Sequence, residues 1–155
     1  AKDLWPILGD PNQMKQMLVN IFTNAFEAME GTGGTLTVKT RNVTKEADWQ
    51  CSFHNVHPQG LYIVIDISNT GPVIPAEIAE QIFEPFYTTK SLGRGLGLAA
   101  VAGIVQNHGG CVSFDSESAG TTFHILLPKA NEKDNISDNE ILSRTHMSAG
   151  QEQIH

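Results

Sequence analysis

The chain has 155 residues, 40% of them hydrophobic, and a formal charge of -7 that leaves only ten Lys and Arg side chains. That length and apolar content predict one globular domain with a buried core, and the scarcity of cations argues against a nucleic-acid partner. No apolar run approaches the ~20 residues that span a bilayer and no signal peptide is visible, so a cytoplasmic domain without direct membrane contact is expected.

Residues 3 to 9 (DLWPILG) read as a short opening strand, which Pro6 would confine to a sheet edge. Asp10 is a candidate N-cap with Pro11 at the first helical position. A helix over about 11 to 30 follows, with Met14, Leu18, Ile21, Ala25 and Ala28 as its inward stripe. Asn20 and Asn24, one turn apart, share a second face that Glu27 borders. Gly31, Gly33 and Gly34 end the helix.

Thr35 to Arg41 alternates as a strand, with Leu36, Val38 and Thr40 on one face. Residues 42 to 60 are polar and read as irregular. Leu61 to Ile67 is strongly β-forming and should pair with the preceding strand as a hairpin with an oversized loop. Helices are predicted at 76 to 82, after Pro75, and at 97 to 107, ending at Gly109-Gly110. Two strands, Cys111 to Asp115 and Thr121 to Leu127, close the domain through a Ser-Glu-Ser-Ala-Gly turn. From 129 to 155 the chain is polar and lacks aromatic residues, as in a tail or interdomain linker. The order of elements favours an α/β sandwich with helices on one sheet face.

The stretch with the clearest chemistry is Asp66 to Leu98. Gly93, Gly95 and Gly97 open directly into the apolar run Leu98-Ala99-Ala100-Val101. A glycine-rich loop feeding a helix N-terminus offers bare N–H groups and a positive dipole end to an anion. Neither a strand-GxGxxG-helix unit at the start nor GxxxxGK[ST] is present, which argues against Rossmann and P-loop sites.

Four motifs in order across residues 10 to 128 carry a family resemblance. They are Asn20-Ile-Phe-Thr-Asn24-Ala25-Phe-Glu27-Ala28, Asn69-Thr70-Gly71-Pro72-Val73, Phe83-Glu84-Pro85-Phe86 and Gly93-Arg94-Gly95-Leu96-Gly97-Leu98; Gly120-Thr121-Thr122-Phe123 closes the set. The chain resembles the ATP-binding catalytic domain of sensor histidine kinases, within the superfamily of DNA gyrase, MutL and the large heat-shock chaperones. The resemblance implies a two-layer α/β sandwich of the Bergerat type over residues 1 to 128, with a mixed sheet, helices on one face and an ATP lid over 88 to 96. It implies that Asn24 ligates Mg²⁺ and that Asn20 lies beside the triphosphate. Lys90 and Arg94 become phosphate contacts, and the N–H groups of Leu96, Gly97 and Leu98 meet the phosphates. Asn69, Gly71 and Thr121 stand at the adenine end. An amide at Asn20 cannot act as a general base, which favours phosphoryl transfer, with Lys90 assisting, over hydrolysis.

The pattern departs from the family at the adenine end, where Asn69 replaces an aspartate and Val73 a glycine. A charged acceptor is lost and a backbone approach is restricted. A second class of function follows from these departures, a degenerate kinase-fold docking or regulatory module with weak or no ATP turnover. None of the six histidines is followed by Glu or Asp, so the phosphoacceptor histidine is expected on a separate dimerisation domain, with a response-regulator receiver domain as the further partner.

Other groups have plainer readings. Phe83, Phe86 and Tyr87 read as core packing, and His108 as a helix C-terminal residue interacting with the dipole. Cys51 and Cys111 fit reduced thiols better than a disulfide framework. Cys51, His54 and His57 fall at three-residue spacings, but the sequence offers no evident fourth ligand, so zinc is not the expected reading.

Overall fold

The structure, a computed structural model, describes residues 1–51, 56–87 and 97–131. The first helix, α1 (Pro11–Ala28), begins where the sequence places it: the Asp10 carboxylate accepts the Asn12 N–H at 2.8 Å, and Pro11 follows at the first helical position. Its buried stripe is Met17, Ile21 and Ala25, with Met14 and Leu18 on the flanks. The seam is thus centred on Met17, which the expected stripe had left out.

The main sheet contains β1 (Leu36–Lys45), β4 (Gly60–Asn69), β5 (Cys111–Glu117) and β6 (Gly120–Pro128), in the order β1-β4-β6-β5. Between β1 and β4, the segment expected to be irregular forms a small hairpin of its own, β2 (Trp49–Gln50) with β3 (Val56–His57). The second helix, α2 (Gly97–Asn107), runs between β4 and β5 and packs on α1.

The two-layer α/β arrangement is present, with both helices on one sheet face. Its pairings correct the expectation of a mixed sheet: all those described are antiparallel. Two of the three follow directly from connectivity. The chain returns from β1 to β4 through the small hairpin, and β5 turns into β6 across only Ser118 and Ala119, and a direct reversal pairs strands antiparallel. Alternation then sorts the side chains. Ile63, Ile65 and Ile67 stand opposite Leu127, Ile125 and Phe123 beneath the helices, where Val101, Val105, Met17 and Ile21 close the main core. The other face carries a smaller cluster, Tyr62, Val64 and Leu126, covered by Val43 and Trp49.

Two predicted elements are shorter than expected. Residues 3 to 9 form no strand. Ile7 makes one bridge to Lys129, the Ala130 N–H donates to the Pro6 carbonyl at 2.9 Å, and the Asn42 side chain ties Asp3 and Trp5 to β1. Lys129 and Ala130 therefore still belong to the fold. The helix expected over 76 to 82 is a single 3-10 turn, Ala76–Ile78, followed by turns as Ile82 and Phe83 drop into the core.

Candidate functional site

The α1 face that carries Asn20, Asn24 and Ala28 connects two distinct ends. At one end, the Asn20 side-chain amide donates to the Gly97 carbonyl, the first residue of α2, at 3.3 Å. The Gln16 amide in turn donates to the Asn20 Oδ1 at 2.7 Å. Asn20 is therefore held from both sides, and Gln16, which the sequence reading missed, sits four residues before it on the same face. Asn24 is half-buried one turn further along.

At the other end lie Asn69, Gly71 and Thr121. Asn69 and Thr121 are partners across β4 and β6, on the helix side, and both are buried. The Asn69 Oδ1 accepts the Gly71 N–H at 3.0 Å, closing the turn that leaves β4. Gly71 lies so close to α1 that an added Cβ would meet Ala28 at 3.2 Å, so the turn is pressed against the helix end. The Thr121 hydroxyl meets the Ser116 hydroxyl at 2.8 Å, and Ser116 also accepts the Ile74 N–H at 2.8 Å. Ser116 was not singled out in the sequence; only the β5–β6 register, which pairs it with Thr121, reveals it.

From Asn20 to Ala28 is eight residues, about 12 Å of helix. One stripe of α1 thus spans from the N-terminus of α2 to the Asn69–Thr121 pair. That N-terminus supplies backbone N–H groups and a positive dipole end, and the pair supplies amide and hydroxyl groups. Gly97 and Leu98 take up the positions expected of them at the start of α2. Lys90, Gly93, Arg94, Gly95 and Leu96, with the whole lid over 88 to 96, lie outside the described residues.

Of the aromatic trio, Phe83 is core as expected, packed against Phe114 and Phe123 with centroids 6.1 and 6.3 Å away, and Tyr87 is half-buried on the same cluster. Phe86 departs from the expectation. Its ring is 78% exposed and its backbone has φ 68°, a left-handed conformation that costs a bulky residue energy. Val73, at the altered glycine position, is 47% exposed.

Charge at the α1 N-terminus is also organised. The Asn12 N–H, above all, holds the Asp10 carboxyl below its usual range. The Asp10 backbone N–H donates to the His108 Nε2 at 3.2 Å, and the His108 Nδ1 lies 2.7 Å from the Ile104 carbonyl. Together these contacts hold the ring between the cap of α1 and the last turn of α2. His108 thus serves the last turn of α2, as expected, and clamps it to the cap of α1.

A cavity of about 360 Å³ opens on the outer sheet face and reaches the β4 end, lined in part by Ser68, Asn69, Asp115, Glu117, Thr122 and His124.

Residues 9–131 match the model of a protein family described as histidine kinase-, DNA gyrase B-, and HSP90-like ATPase. The chain belongs to this family. It is 40% identical over 147 residues to the sensor kinase CckA of Brucella abortus (strain 2308), covering 93% of this chain and 15% of that protein. It is 37% identical over 129 residues to the sensory histidine kinase/phosphatase NtrB of Rhodobacter capsulatus, covering 81% of this chain and 34% of that protein. Among solved structures, the catalytic domain of the histidine kinase ThkA aligns with a TM-score of 0.63 and 31% identity, over 79% of this chain and 70% of that one. The mycobacterial sensor histidine kinase MprB aligns with a TM-score of 0.62 and 27% identity, over 81% and 76%. The fold is that of the ATP-binding catalytic domain of sensor histidine kinases, and the chain spans a minor part of the curated relatives it matches. Among the described residues no helix is long and apolar enough to cross a membrane.

Proposed function

We propose that this domain binds Mg·ATP along the Asn20–Ala28 face of α1 and transfers the γ-phosphoryl group to a histidine on a separate dimerisation domain, from which a response-regulator receiver domain takes it. The observation that carries this reading is the pair of unlike ends joined by one helix face. Amide and hydroxyl groups at Asn69 and Thr121 suit a purine edge, and the α2 N-terminus suits phosphates. A nucleotide triphosphate has those two chemistries at its two ends.

Asn24, midway along the face, offers a hard amide oxygen suited to Mg²⁺, an ion that keeps waters and phosphate oxygens as its other ligands. The ion would supply charge neutralisation to the phosphates. Asn20, held by Gln16 and Gly97, positions a neutral amide near the phosphate end. It cannot take a proton from water, so the site favours transfer to a protein acceptor over hydrolysis. Lys90 and Arg94, with the N–H groups of Gly93, Gly95, Leu96, Gly97 and Leu98, complete the phosphate contacts in this reading. Positioning and charge stabilisation then supply most of the rate. The domain extends to about residue 131, the remainder acts as a polar linker, and the site faces the cytoplasm.

The docking-module alternative has one observation in its favour. The Asn69 Oδ1 is already engaged by the Gly71 N–H, and a neutral amide lacks the second carboxylate oxygen that the family aspartate would offer to an adenine amino group. Calorimetric titration with Mg·ATP and Mg·ADP decides between the two. The kinase reading expects Mg²⁺-dependent binding, with the Asn69→Asp variant binding about tenfold tighter as a charged acceptor returns. Binding by the variant alone favours the docking module. Silence from both folded proteins rejects nucleotide binding.

A further inference from the structure

Cys51, His57 and Cys111 come from three separate places in the chain, yet a donor atom of each lies within 4.8 Å of the others. Cys51 follows β2, His57 is in β3, and Cys111 opens β5, opposite Leu126 on the outer face of the main sheet. The sequence spacing had grouped Cys51, His54 and His57, without making zinc the expected reading. Of these, His54 lies outside the described residues, and the fold brings Cys111 to the other two.

His57 is the most informative member. It is 7% exposed, and its Nε2 is buried without a hydrogen-bond partner. A buried ring nitrogen left without a partner destabilises the fold unless something fills its lone pair. The ring is also held in place. It stacks on Trp49 at 4.6 Å and 20°, Tyr62 meets Trp49 edge-on at 5.5 Å, and the Tyr62 hydroxyl donates to the Pro58 carbonyl at 2.7 Å. Cys111 is buried and Cys51 half-buried, so the cluster has a fixed inner side and a side that reaches solvent.

We propose that Cys51, His57 and Cys111 bind a thiophilic divalent cation, Zn²⁺ first among them, and so pin the β2–β3 hairpin to the outer face of the sheet. Two thiolates and an imidazole are a zinc-type donor set, unlike the hard oxygen donors that Mg²⁺ requires. With Zn–S near 2.3 Å and Zn–N near 2.0 Å, tetrahedral geometry puts neighbouring donors about 3.5–3.8 Å apart. The cluster therefore needs to contract by no more than about 1.3 Å. Each Zn–S bond forms as a thiol loses its proton to solvent, neutral His57 supplies a nitrogen lone pair, and water takes the fourth position. The site is independent of the nucleotide reading: it lies on the opposite sheet face and uses none of the same residues.

The test is titration of Co²⁺ into the reduced, metal-free full chain, followed by Zn²⁺. Thiolate-to-cobalt absorption with the intense visible bands of a tetrahedral centre, saturating at a single ion per chain and bleached by Zn²⁺, is the expected result. Cys51→Ser, at the half-buried position, should retain the wild-type far-UV circular dichroism and bind Co²⁺ more than about tenfold more weakly, with weaker charge-transfer absorption. Absence of thiolate-to-cobalt absorption in the folded wild type overturns the proposal, as does an unchanged titration in Cys51→Ser. A Cys51–Cys111 disulfide that forms in air even with Zn²⁺ present overturns it too, since a bound ion would protect both thiols.

Discussion

The two faces of the main sheet are built from alternate residues of the same strands, yet they are stabilised in different ways. Under the helices, Ile67, Phe123 and Val112 meet Met17, Ile21, Val101 and Val105 in one continuous apolar core. On the outer face, among the described residues, Tyr62, Val64 and Leu126 are sealed beneath Val43 and Trp49, with Cys111 buried beside Leu126. The rest of that face is polar. His124 lies 2.6 Å from Asp66 and 3.0 Å from Asp115, Arg41 reaches Asp66 at 3.4 Å, and the Ser68 and Thr122 hydroxyls meet at 2.8 Å. The helix face needs no insertion to exclude water, whereas the outer face is dry only where the β2–β3 hairpin covers it. The groups assigned to the nucleotide stand at the rim of the first face, where they are fixed by a rigid core.

Truncations on the two faces give the largest effects. Phe123→Ala, beneath the helices, should cost about 3–5 kcal/mol in chemical denaturation, and Leu126→Ala, beneath the hairpin, nearer 2 kcal/mol. Equal losses would mean that the outer cluster is as integral to folding as the core, and would erase the distinction between the faces. Gly120→Ala tests the point where both faces meet at the sheet end. A Cβ there would fall 1.9 Å from the Asn69 carbonyl oxygen, at a backbone φ of 128°. Relief requires moving Asn69, so a loss of at least about 2 kcal/mol is expected together with weaker nucleotide binding. Loss of stability with unchanged nucleotide affinity would detach Asn69 from the site.

Much of the helix-covered face was legible in the sequence. Asp10-Pro11 starts α1, Gly109-Gly110 follows the end of α2, and the β-forming run Leu61 to Ile67 lies within β4. The outer hairpin was not legible, because strands of two residues are too short to show a period. A signal was nonetheless present. Leu61-Tyr62-Ile63-Val64-Ile65 is apolar without alternation, and such a run marks a strand covered on both faces. The pairing of Cys111 with Cys51 and His57 is a tertiary fact that no local spacing encodes. At the nucleotide end the residue types were readable, and their supports were not: Gln16 and Ser116 act on Asn20 and Thr121 through contacts that only helix packing and strand register establish.

Ser116 sharpens this last point. Its hydroxyl joins Thr121 to the Ile74 backbone, so Ser116→Ala leaves both partners short of a hydrogen bond in part-buried surroundings. A loss of about 1–2 kcal/mol is expected. Mg·ATP affinity should fall along with it if Thr121 orients the base, and calorimetry on the folded variant reads the two effects separately. Unchanged affinity would assign Ser116 and Thr121 to the sheet alone.

The smallest effect lies farthest from both faces. Asp10 accepts the Asn12 N–H, and that bond above all holds its carboxyl below the usual carboxylate range. A depressed folded-state pKa means that the charged cap stabilises the fold at pH above the unfolded value, and that this contribution disappears as pH falls through the folded value. Asp10→Ala should therefore melt below the wild type at neutral pH, with the gap closing only as the pH falls below the usual carboxylate range. Loss of the His108 clamp in the same variant would be a separate effect, because the clamp uses the backbone N–H of Asp10, which alanine keeps. A melting-temperature gap that stays constant through the acid range would show that the side chain caps α1 by shape alone, without its charge.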